Sequence, residues 1–301
     1  MNTTSITVKD LAEQWYTITS PGWSPGTKRL HRHRLDKHIL PVFGERHAED
    51  ITVHEYVDWL QELKREDGIY MAPSTLRTLK ACMSGVLTYG VSQGLIAKNQ
   101  ILAVRIKDNY VEERKTPSRR AIKRTVQLTE DIRWRTLVHL AAATGLRRGE
   151  VCGLRWEDID GDTLRVVRSV NARREVVVPK TKRSRRKMLL GPNIVQQLAA
   201  LRAARPEHDD ESYIFSTEPD GSRPLSPDVL SQWWTRNRRD DSLRFHDLRH
   251  YAASKMLDAG LSIPQVAQRL GQDPTTTLSV YAHALPAGDR LAADLLDASV
   301  S

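Results

Sequence analysis

Two histidines and an arginine share one short segment, HDLRH, at residues 246–250. On a helix, His246, Arg249 and His250 lie at positions i, i+3 and i+4, which places all three side chains on one face. Such a face offers imidazoles for proton transfer and a guanidinium for gripping an anion. A pair of structural histidines is the plainer alternative, so this segment needs support from other residues.

A metal site is the second alternative for this segment. Two histidines four residues apart, with an acid after the first, are similar to the HExxH motif of zinc proteases. Here the acid is Asp247 instead of Glu, and Arg249 would bring a positive charge close to the metal. No third ligand is evident, which weighs against zinc.

Three further residues become candidates only in combination with each other. Arg147, in TGLRRGE, follows a glycine that would end a helix, where an arginine is usually exposed. Lys180 begins a β-turn in the most basic part of the chain, where it would contact a phosphate or only solvent. Tyr281 ends the polar helical segment LGQDPTTTLSVY, where a half-buried aromatic is the ordinary interpretation.

The positive charge of the chain is concentrated in two short stretches. The 301 residues carry a formal charge of +9. Residues 164–190 alone account for +9 and residues 109–126 for +4, while the remainder sums to −4. This distribution predicts one surface that faces a polyanion, and nucleic acid is the usual partner. A solvated basic loop is the alternative.

Composition excludes several classes of protein. With 40% hydrophobic and 28% charged residues, the sequence is typical of a folded globular protein. No apolar run approaches the roughly 20 residues that span a bilayer, and the amino terminus lacks the layout of a signal peptide. Cys82 and Cys152 lie in helical patterns, which predicts reduced core residues, a reducing cytoplasmic compartment and no four-cysteine zinc site.

The first hundred residues are predicted to form helices, which would position the basic side chains of this region. We predict one from about residue 8, and a second that begins at Ser24-Pro25 and ends at Pro41. Thr52 and Ser74 are predicted to cap a third and a fourth helix. These helices make a compact all-α unit over 1–107.

The remaining elements predict a basic linker over 108–126 and an α+β domain over 127–301. A helix is expected from Thr129 to Gly145, with a new helix starting around Arg147. Helices resume at Pro192. The predicted strands cover 164–170, 176–178 and 188–190, with the basic run PKTKRSRRK at the turn between the last two.

Taken in order, these motifs resemble the tyrosine recombinase family of phage integrases and Xer-type recombinases. The order is TGLRRGE, a lysine in a β-hairpin, HDLRH, and LG followed by a tyrosine. The amino-terminal helical unit is similar to that family's core-site-binding domain, so the resemblance covers nearly the whole chain. It implies a mainly α fold with a small antiparallel β-sheet in the carboxy-terminal domain. That fold comprises a four-helix core-binding domain and an α+β catalytic domain.

The resemblance implies a role for each candidate residue. Arg147 corresponds to the first catalytic arginine, Lys180 to the hairpin lysine, and His246 with Arg249 to the HxxR pair. Tyr281 corresponds to the nucleophile. The implied reaction is attack of the tyrosine oxygen on a DNA phosphodiester, which leaves a 3′-phosphotyrosyl link. No metal, ATP or other cofactor is needed, because the ester retains the bond energy.

These residue types suit that reaction. Two guanidinium forks can grip the non-bridging oxygens of a phosphorane-like transition state and remain charged at any relevant pH. Tyrosine, with a pKa of about 10, needs a neighbouring base or a cationic environment, and His246 is the candidate to take its proton or to hold the phosphate. Lys180 is the candidate acid for the leaving 5′-oxygen.

Gln272 departs from the family pattern. The family usually places His or Trp directly after LG. Both supply a nitrogen–hydrogen donor, and a glutamine amide keeps one, so we expect activity to survive. His250 is expected to support the site from the same helix face, and Glu150 to be a structural partner for nearby arginines.

The predicted partners are double-stranded core-site DNA and other copies of the chain. The resemblance implies a tetramer on DNA, with a directionality factor as a further candidate partner, in a bacterial cytoplasm at the nucleoid. A helical pattern from about residue 8 leaves no room for an arm-binding domain. An apolar set near the end, at 291–296, predicts a short helix that packs on its own domain or on a neighbouring protomer. The predicted DNA contacts are Lys28, Arg29, Arg32, Arg34, Arg119, Arg120, Lys123, Arg124, Lys182, Arg183, Arg185 and Arg186.

Two other functions stay open on the sequence alone. A catalytically weakened recombinase would act as a DNA-binding or accessory protein, and Gln272 is the only feature that favours it. A zinc hydrolase built on HDLRH is the third hypothesis. A membrane role is not expected.

Overall fold

The computed structural model describes residues 6–106, 118–178, 182–238, 240, 243–281 and 297. The chain divides into two compact units, Met1–Arg114 and Lys115–Ser301, each described by itself below.

Unit 1 is helical. Its helices are α1 (Val8–Thr19), α2 (Pro25–Arg34), α3 (Leu40–Phe43), α4 (Val53–Glu62) and α5 (Pro73–Ser92). Their apolar faces meet in one core that includes Leu11, Phe43, Tyr56, Met83 and Leu87. Thr52 accepts a hydrogen bond from the backbone N–H of Glu55, so the predicted cap of α4 is confirmed.

The second predicted helix is longer than expected. Ser24 caps α2 and Pro25 opens it, as predicted. Pro41 does not end the segment, because a π-helical turn over Leu35–Ile39 carries the chain directly into α3. A proline ring crowds the carbonyl of the preceding turn, and the wider π turn is one way to accommodate it. The predicted cap of the fourth helix is wrong, because the helix begins at Pro73 with Ala72 as its cap residue and Ser74 lies inside its first turn.

Unit 2 surrounds a second core with helices and two small sheets. Its helices are α6 (Arg119–Gln127), α7 (Ile132–Thr144), α8 (Arg148–Cys152), α9 (Pro192–Ala203), α10 (Pro227–Asn237), α11 (Asp247–Asp258), α12 (Ile263–Leu270) and α13 (Pro274–Tyr281). Its strands are β1 (Ile159–Asp160), β2 (Thr163–Val166), β3 (Ser169–Val170), β4 (Val176–Val177) and β5 (Arg186–Leu189). The mainly helical fold class with a small antiparallel sheet is confirmed.

The strand pairing differs from the prediction. The antiparallel sheets have the orders β1-β2-β5 and β3-β4, so the two strands that flank the basic run do not pair with each other. The predicted strand over 164–170 is two strands that belong to different sheets. The change occurs at Arg168, whose guanidinium binds Asp158 and Glu157 instead of continuing the alternation.

The predicted linker is also partly wrong, because its second half is helix α6. Ser118 caps this helix, and Ile122 and Thr125 are buried on its inner face. The basic residues of the same segment lie on the outer face, so the charge run concealed an amphipathic helix. Helix α7 is capped by Asp131 and not by Thr129, whose hydroxyl donates back to the Thr125 carbonyl.

Both cysteines are free and buried, as predicted. Burial raises the pKa of each thiol, Cys82 and Cys152, to about 12. Within the ranges that the structure describes, no helix is long and apolar enough to cross a bilayer.

Candidate active site and DNA-facing surface

A sharp turn between α7 and α8 positions Arg147. Gly145 ends α7 in the left-handed conformation, with φ of 69°. A Cβ at this residue would lie 2.4 Å from the Leu270 side chain, so the position requires glycine for both conformation and space. The turn makes Arg147 the cap residue of α8, as expected from the sequence.

The buried carboxylate of Glu150 holds the Arg147 side chain in place. Glu150 accepts from Arg147 Nη1 at 3.0 Å and from the Arg147 backbone N–H at 2.8 Å. Its two oxygens also accept from Arg186 Nη1 and Nη2 at 3.1 and 3.0 Å. Burial alone would raise the pKa of the Glu150 carboxyl, but Arg186 and then Arg147 outweigh it and hold the pKa below its usual value. The predicted structural role of Glu150 is confirmed.

Arg186 is a correction to the predicted DNA contacts. Its side chain is only 5% exposed, and besides Glu150 it donates to the Arg269 carbonyl at 2.7 Å. Strand residues alternate between faces, and Arg186 and Met188 point inward on β5 while Lys187 points outward. Arg186 is therefore a structural cation that joins β5 to α8 and α12.

The second arginine of the pair is almost fully buried. Arg249, on α11, is 3% exposed. Its Nη1 donates to the Gly145 carbonyl at 2.7 Å, and its Nη2 donates to the Leu270 carbonyl at 2.8 Å and to Gln272 Oε1 at 2.7 Å. These contacts hold its planar fork in one orientation.

The carboxy-terminal end of α12 brings the two arginines together. Arg147 Nη2 donates to the Gly271 carbonyl at 3.0 Å, next to the Leu270 carbonyl that accepts from Arg249. The last carbonyls of a helix lack partners within it and carry the negative end of its dipole. Two guanidinium groups from distant segments thus donate to adjacent carbonyls and form a paired cationic site.

The two histidines lie at the start of α11. His246 precedes the helix as its cap residue, and its ring contacts that of His250 with centroids 5.1 Å apart. The predicted shared face is confirmed for this pair. Asp247 is buried and binds Arg244 at 2.7 Å, and this ion pair helps hold its pKa below the ordinary value despite burial.

His246 is neutral at physiological pH in the free protein. Although part of the residue is exposed, partial desolvation of the imidazole, followed by the effects of His250 and Arg249, lowers its pKa to about 4. A neutral imidazole can accept a proton, which is the state that a base for a tyrosine hydroxyl requires.

We therefore expect the His246 resonance of the free protein to titrate well below pH 6.5. Because the folded pKa is depressed, protonation favours the unfolded chain. The contribution of neutral His246 to stability is fully present above pH 6.5 and is lost as the pH falls towards 4. NMR titration assigned with His246→Gln checks this, and a midpoint at or above 6.5 would contradict it. Over the same acidic range the unfolding free energy of the wild type should fall relative to that of His246→Gln.

No group of three or more histidine, cysteine or acidic side chains in the described ranges could hold a metal ion. The neighbouring carboxylate that the zinc hypothesis requires, Asp247, is engaged with Arg244. Zinc chemistry at HDLRH thus has no third ligand among these residues.

Gln272 is placed between the arginine site and the helix that ends at Tyr281. Its amide oxygen accepts from Arg249, and its amide nitrogen donates to Thr277 Oγ1 at 2.8 Å. Tyr281 is the last residue of α13, one turn beyond Thr277. Lys180 lies outside the described residues. The sequence indicated Gln272 but not Thr277, because nothing in the run of three threonines at 275–277 shows which of them is buried.

Two exposed basic surfaces of unit 2 remain available for DNA. Four predicted contacts, Arg119, Arg120, Lys123 and Arg124, are exposed on α6 and line one groove of about 500 Å³. A second groove beside Gln272 is lined by Arg183, Arg185 and Lys187. Arg183 also pairs with Asp273 at the start of α13, so it connects the basic loop to this helix. The backbone of Lys182 lies in the same loop.

The basic residues that were predicted to form one face of unit 1 differ in exposure and in ion pairing. Arg32 binds Glu13 and both oxygens of Asp36, so its charge is largely neutralised within the unit. Lys28 is partly exposed and Arg29 is exposed. Arg34 lines a groove between α2 and α5 together with two histidines and three hydroxyl residues. These are His33, His38, Ser74, Thr75 and Thr78.

Comparison with known proteins agrees with this arrangement. Residues 118–287 match the model of the phage integrase family, and residues 8–107 match that of the phage integrase central domain. A tyrosine recombinase XerC-like protein of Caldanaerobacter subterraneus subsp. tengcongensis is 27% identical, with 93% of this chain and 80% of that protein covered. The ICEBs1 integrase of Bacillus subtilis strain 168 is 24% identical, with 91% and 78% covered.

Solved structures show the same fold. The Tn1549 transposon integrase in complex with transposon right end DNA has a TM-score of 0.79 at 19% identity, and covers 97% of this chain and 100% of that one. A lambda integrase dimer bound to a core site has a TM-score of 0.72 at 19% identity, with 91% and 95% covered. The chain therefore belongs to the phage integrase family, the site-specific recombinases of the tyrosine type.

Proposed function

We propose that this recombinase cuts DNA with the Tyr281 hydroxyl and leaves a 3′-phosphotyrosyl link and a free 5′-hydroxyl. The observation that carries the proposal is the pairing of Arg147 and Arg249 at adjacent carbonyls of α12, followed along the chain by the helix that ends at Tyr281. In this scheme the guanidinium forks bind the non-bridging oxygens of the scissile phosphate. Charge that develops on those oxygens in the transition state is then stabilised by groups already in place.

Proton transfer is assigned to two other residues. His246, neutral at pH 7 because of its lowered pKa, accepts the Tyr281 proton as the tyrosine oxygen attacks phosphorus. Lys180, in the basic segment, donates a proton to the departing 5′-oxygen. Rejoining reverses both transfers with a 5′-hydroxyl as nucleophile. Neither step uses a metal or ATP, because the phosphotyrosyl ester conserves the energy of the broken bond.

The partner we propose is double-stranded DNA with core-type attachment sites. The exposed cations of α6 and of the groove around Arg183, Arg185 and Lys187 support contacts to its backbone. Residues 1–107 are assigned as the core-binding domain, in which Lys28, Arg29 and Arg34 remain the candidate contacts. A related structure shows a lambda integrase tetramer bound to a Holliday junction. We assign a tetramer on DNA to this chain, acting at the bacterial nucleoid with a directionality factor as a further partner.

Trapping of the covalent intermediate tests this function. The full chain is incubated in EDTA with a duplex that carries a core site nicked next to the cleavage position, so that the short fragment with the free 5′-hydroxyl dissociates and cannot be rejoined. We expect a covalent protein–DNA adduct that disappears in Tyr281→Phe while DNA binding stays within twofold. Binding without any wild-type adduct would instead support a non-catalytic accessory protein, and chelator-sensitive hydrolysis would support the zinc alternative.

A further inference from the structure

We propose that Gln272 and Thr277 form a positioning pair that couples Arg249 to the helix of the nucleophile, a role distinct from donation of a hydrogen bond to the phosphate. The inference rests on the proposed function, because it concerns the same site. It assigns Thr277, which sequence patterns did not select, to the active machinery as a positioning residue.

The hydrogen bonds determine which way the amide faces. A guanidinium can only donate, so the Gln272 oxygen must be the atom 2.7 Å from Arg249 Nη2. The amide nitrogen then lies 2.8 Å from Thr277 Oγ1 and donates to it. The same side chain therefore satisfies the buried arginine at one end and α13 at the other.

Thr277 is suited to receive this bond because its surroundings leave it little freedom. The residue is fully buried, and its hydroxyl also donates to the Asp273 carbonyl at 3.3 Å. Residues 277 and 281 are one helical turn apart and share a face of α13. A shift of Thr277 thus shifts the turn that ends at Tyr281.

The other acceptors that hold Arg249 in the hydrogen bonds above are backbone carbonyls, of Gly145 and Leu270. These carbonyls fix the fork relative to α7 and α12, whereas Gln272 connects it to α13. An indole at this position could donate but could not accept from an arginine. The amide therefore permits a bridge that tryptophan, one of the residues the family uses here, cannot make.

The coupling can be measured with the nicked duplex under single-turnover conditions at saturating protein. Loss of one buried hydrogen bond corresponds to about 1–1.5 kcal/mol, or roughly tenfold in rate. We expect Thr277→Val to cleave about tenfold more slowly than wild type with an unchanged Kd for DNA. Thr277→Ser, which restores the hydroxyl, should return to within twofold of wild type.

Combination with a change at residue 272 separates positioning from phosphate donation. If the two residues act as one bridge, Gln272→Met with Thr277→Val should be no slower than Gln272→Met alone. If Gln272 acts only as a phosphate donor, Thr277→Val should cleave at the wild-type rate, and that result would overturn the proposal. Strictly multiplicative effects in the double variant would overturn it as well.

Separate controls distinguish a failure of this proposal from misfolding of a variant and from a failure of the proposed function. Thr235→Val removes a helical threonine hydroxyl that bonds back to the Ser231 carbonyl on α10, and should leave the cleavage rate unchanged. If Thr277→Val does not fold, Thr277→Ala replaces it, and equal rates for the Ala and Ser variants would overturn the pair. A wild-type chain that forms no Tyr281-dependent adduct would instead defeat the proposed function itself.

Discussion

Arg249→Lys is expected to lower the single-turnover cleavage rate by a factor of about 10²–10³, the range found when one preorganised electrostatic contact to a transition state is removed. The wild-type guanidinium reaches two backbone carbonyls and the Gln272 oxygen at 2.7–2.8 Å. A lysine ammonium keeps the charge but lacks the planar fork, so it cannot hold these acceptors and two phosphate oxygens in one fixed geometry.

The measurement must separate this loss from weakened binding or unfolding. Cleavage of the nicked duplex is compared with the Kd for DNA and with the thermal midpoint of each variant. Arg202→Lys is the matched control, because Arg202 pairs with Asp210 at 3.1 Å on a partly exposed surface. A cleavage rate for Arg249→Lys within threefold of wild type would contradict the assignment of Arg249 to the phosphate.

Glu150→Ala is expected to cause the largest loss of stability, about 3–5 kcal/mol, the usual result of removing one partner from a buried ion pair. The Arg186 and Glu150 side chains are only 5% and 3% exposed, so the substitution would leave Arg186 as a buried charge without its carboxylate. It would also remove the contact that fixes Arg147. Urea denaturation of the full chain gives the difference in unfolding free energy.

A compensating substitution makes this prediction specific. Glu150→Leu combined with Arg186→Met removes both buried charges, and should recover most of the stability that Glu150→Ala loses. Cleavage should stay slow in the double variant, because Arg147 lacks its carboxylate partner in both. A stability for Glu150→Ala within about 1 kcal/mol of wild type would contradict the structural role. Full activity of the double variant would show that Arg147 does not depend on Glu150.

Local rules predicted those features that depend on neighbouring residues. Ser24 with Pro25, Thr52 and Gly145 mark helix ends that the structure confirms, because capping and the left-handed conformation are properties of a few consecutive residues. The fold class followed from helical periodicity together with a short β region. The continuation past Pro41 and helix α6 are not predicted, because a π turn and an apolar face among four cations leave weak local signals.

Charge was the least reliable guide to position. Arg186 and Arg185 are adjacent in a basic run, but the Arg186 side chain is only 5% exposed and is bound to Glu150, whereas Arg185 is exposed. In unit 1, Arg32 is likewise engaged with Glu13 and Asp36, while Arg29 is exposed. Strand alternation and side-chain pairing separate these arginines, and both depend on partners that are distant in the sequence.

The reaction class can be read from the sequence through the family resemblance that the order of Arg147, HDLRH and Tyr281 carries. The way in which the two arginines are held becomes visible only in the folded chain. Arg147 and Arg249 share the end of α12 by donating to the backbone carbonyls of residues 271 and 270. The LG motif marks these two residues, but a backbone carbonyl carries no side-chain signal for the arginine that it binds. The fold also places Thr277 against Gln272, because a hydrogen bond between these side chains depends on how α12 meets α13.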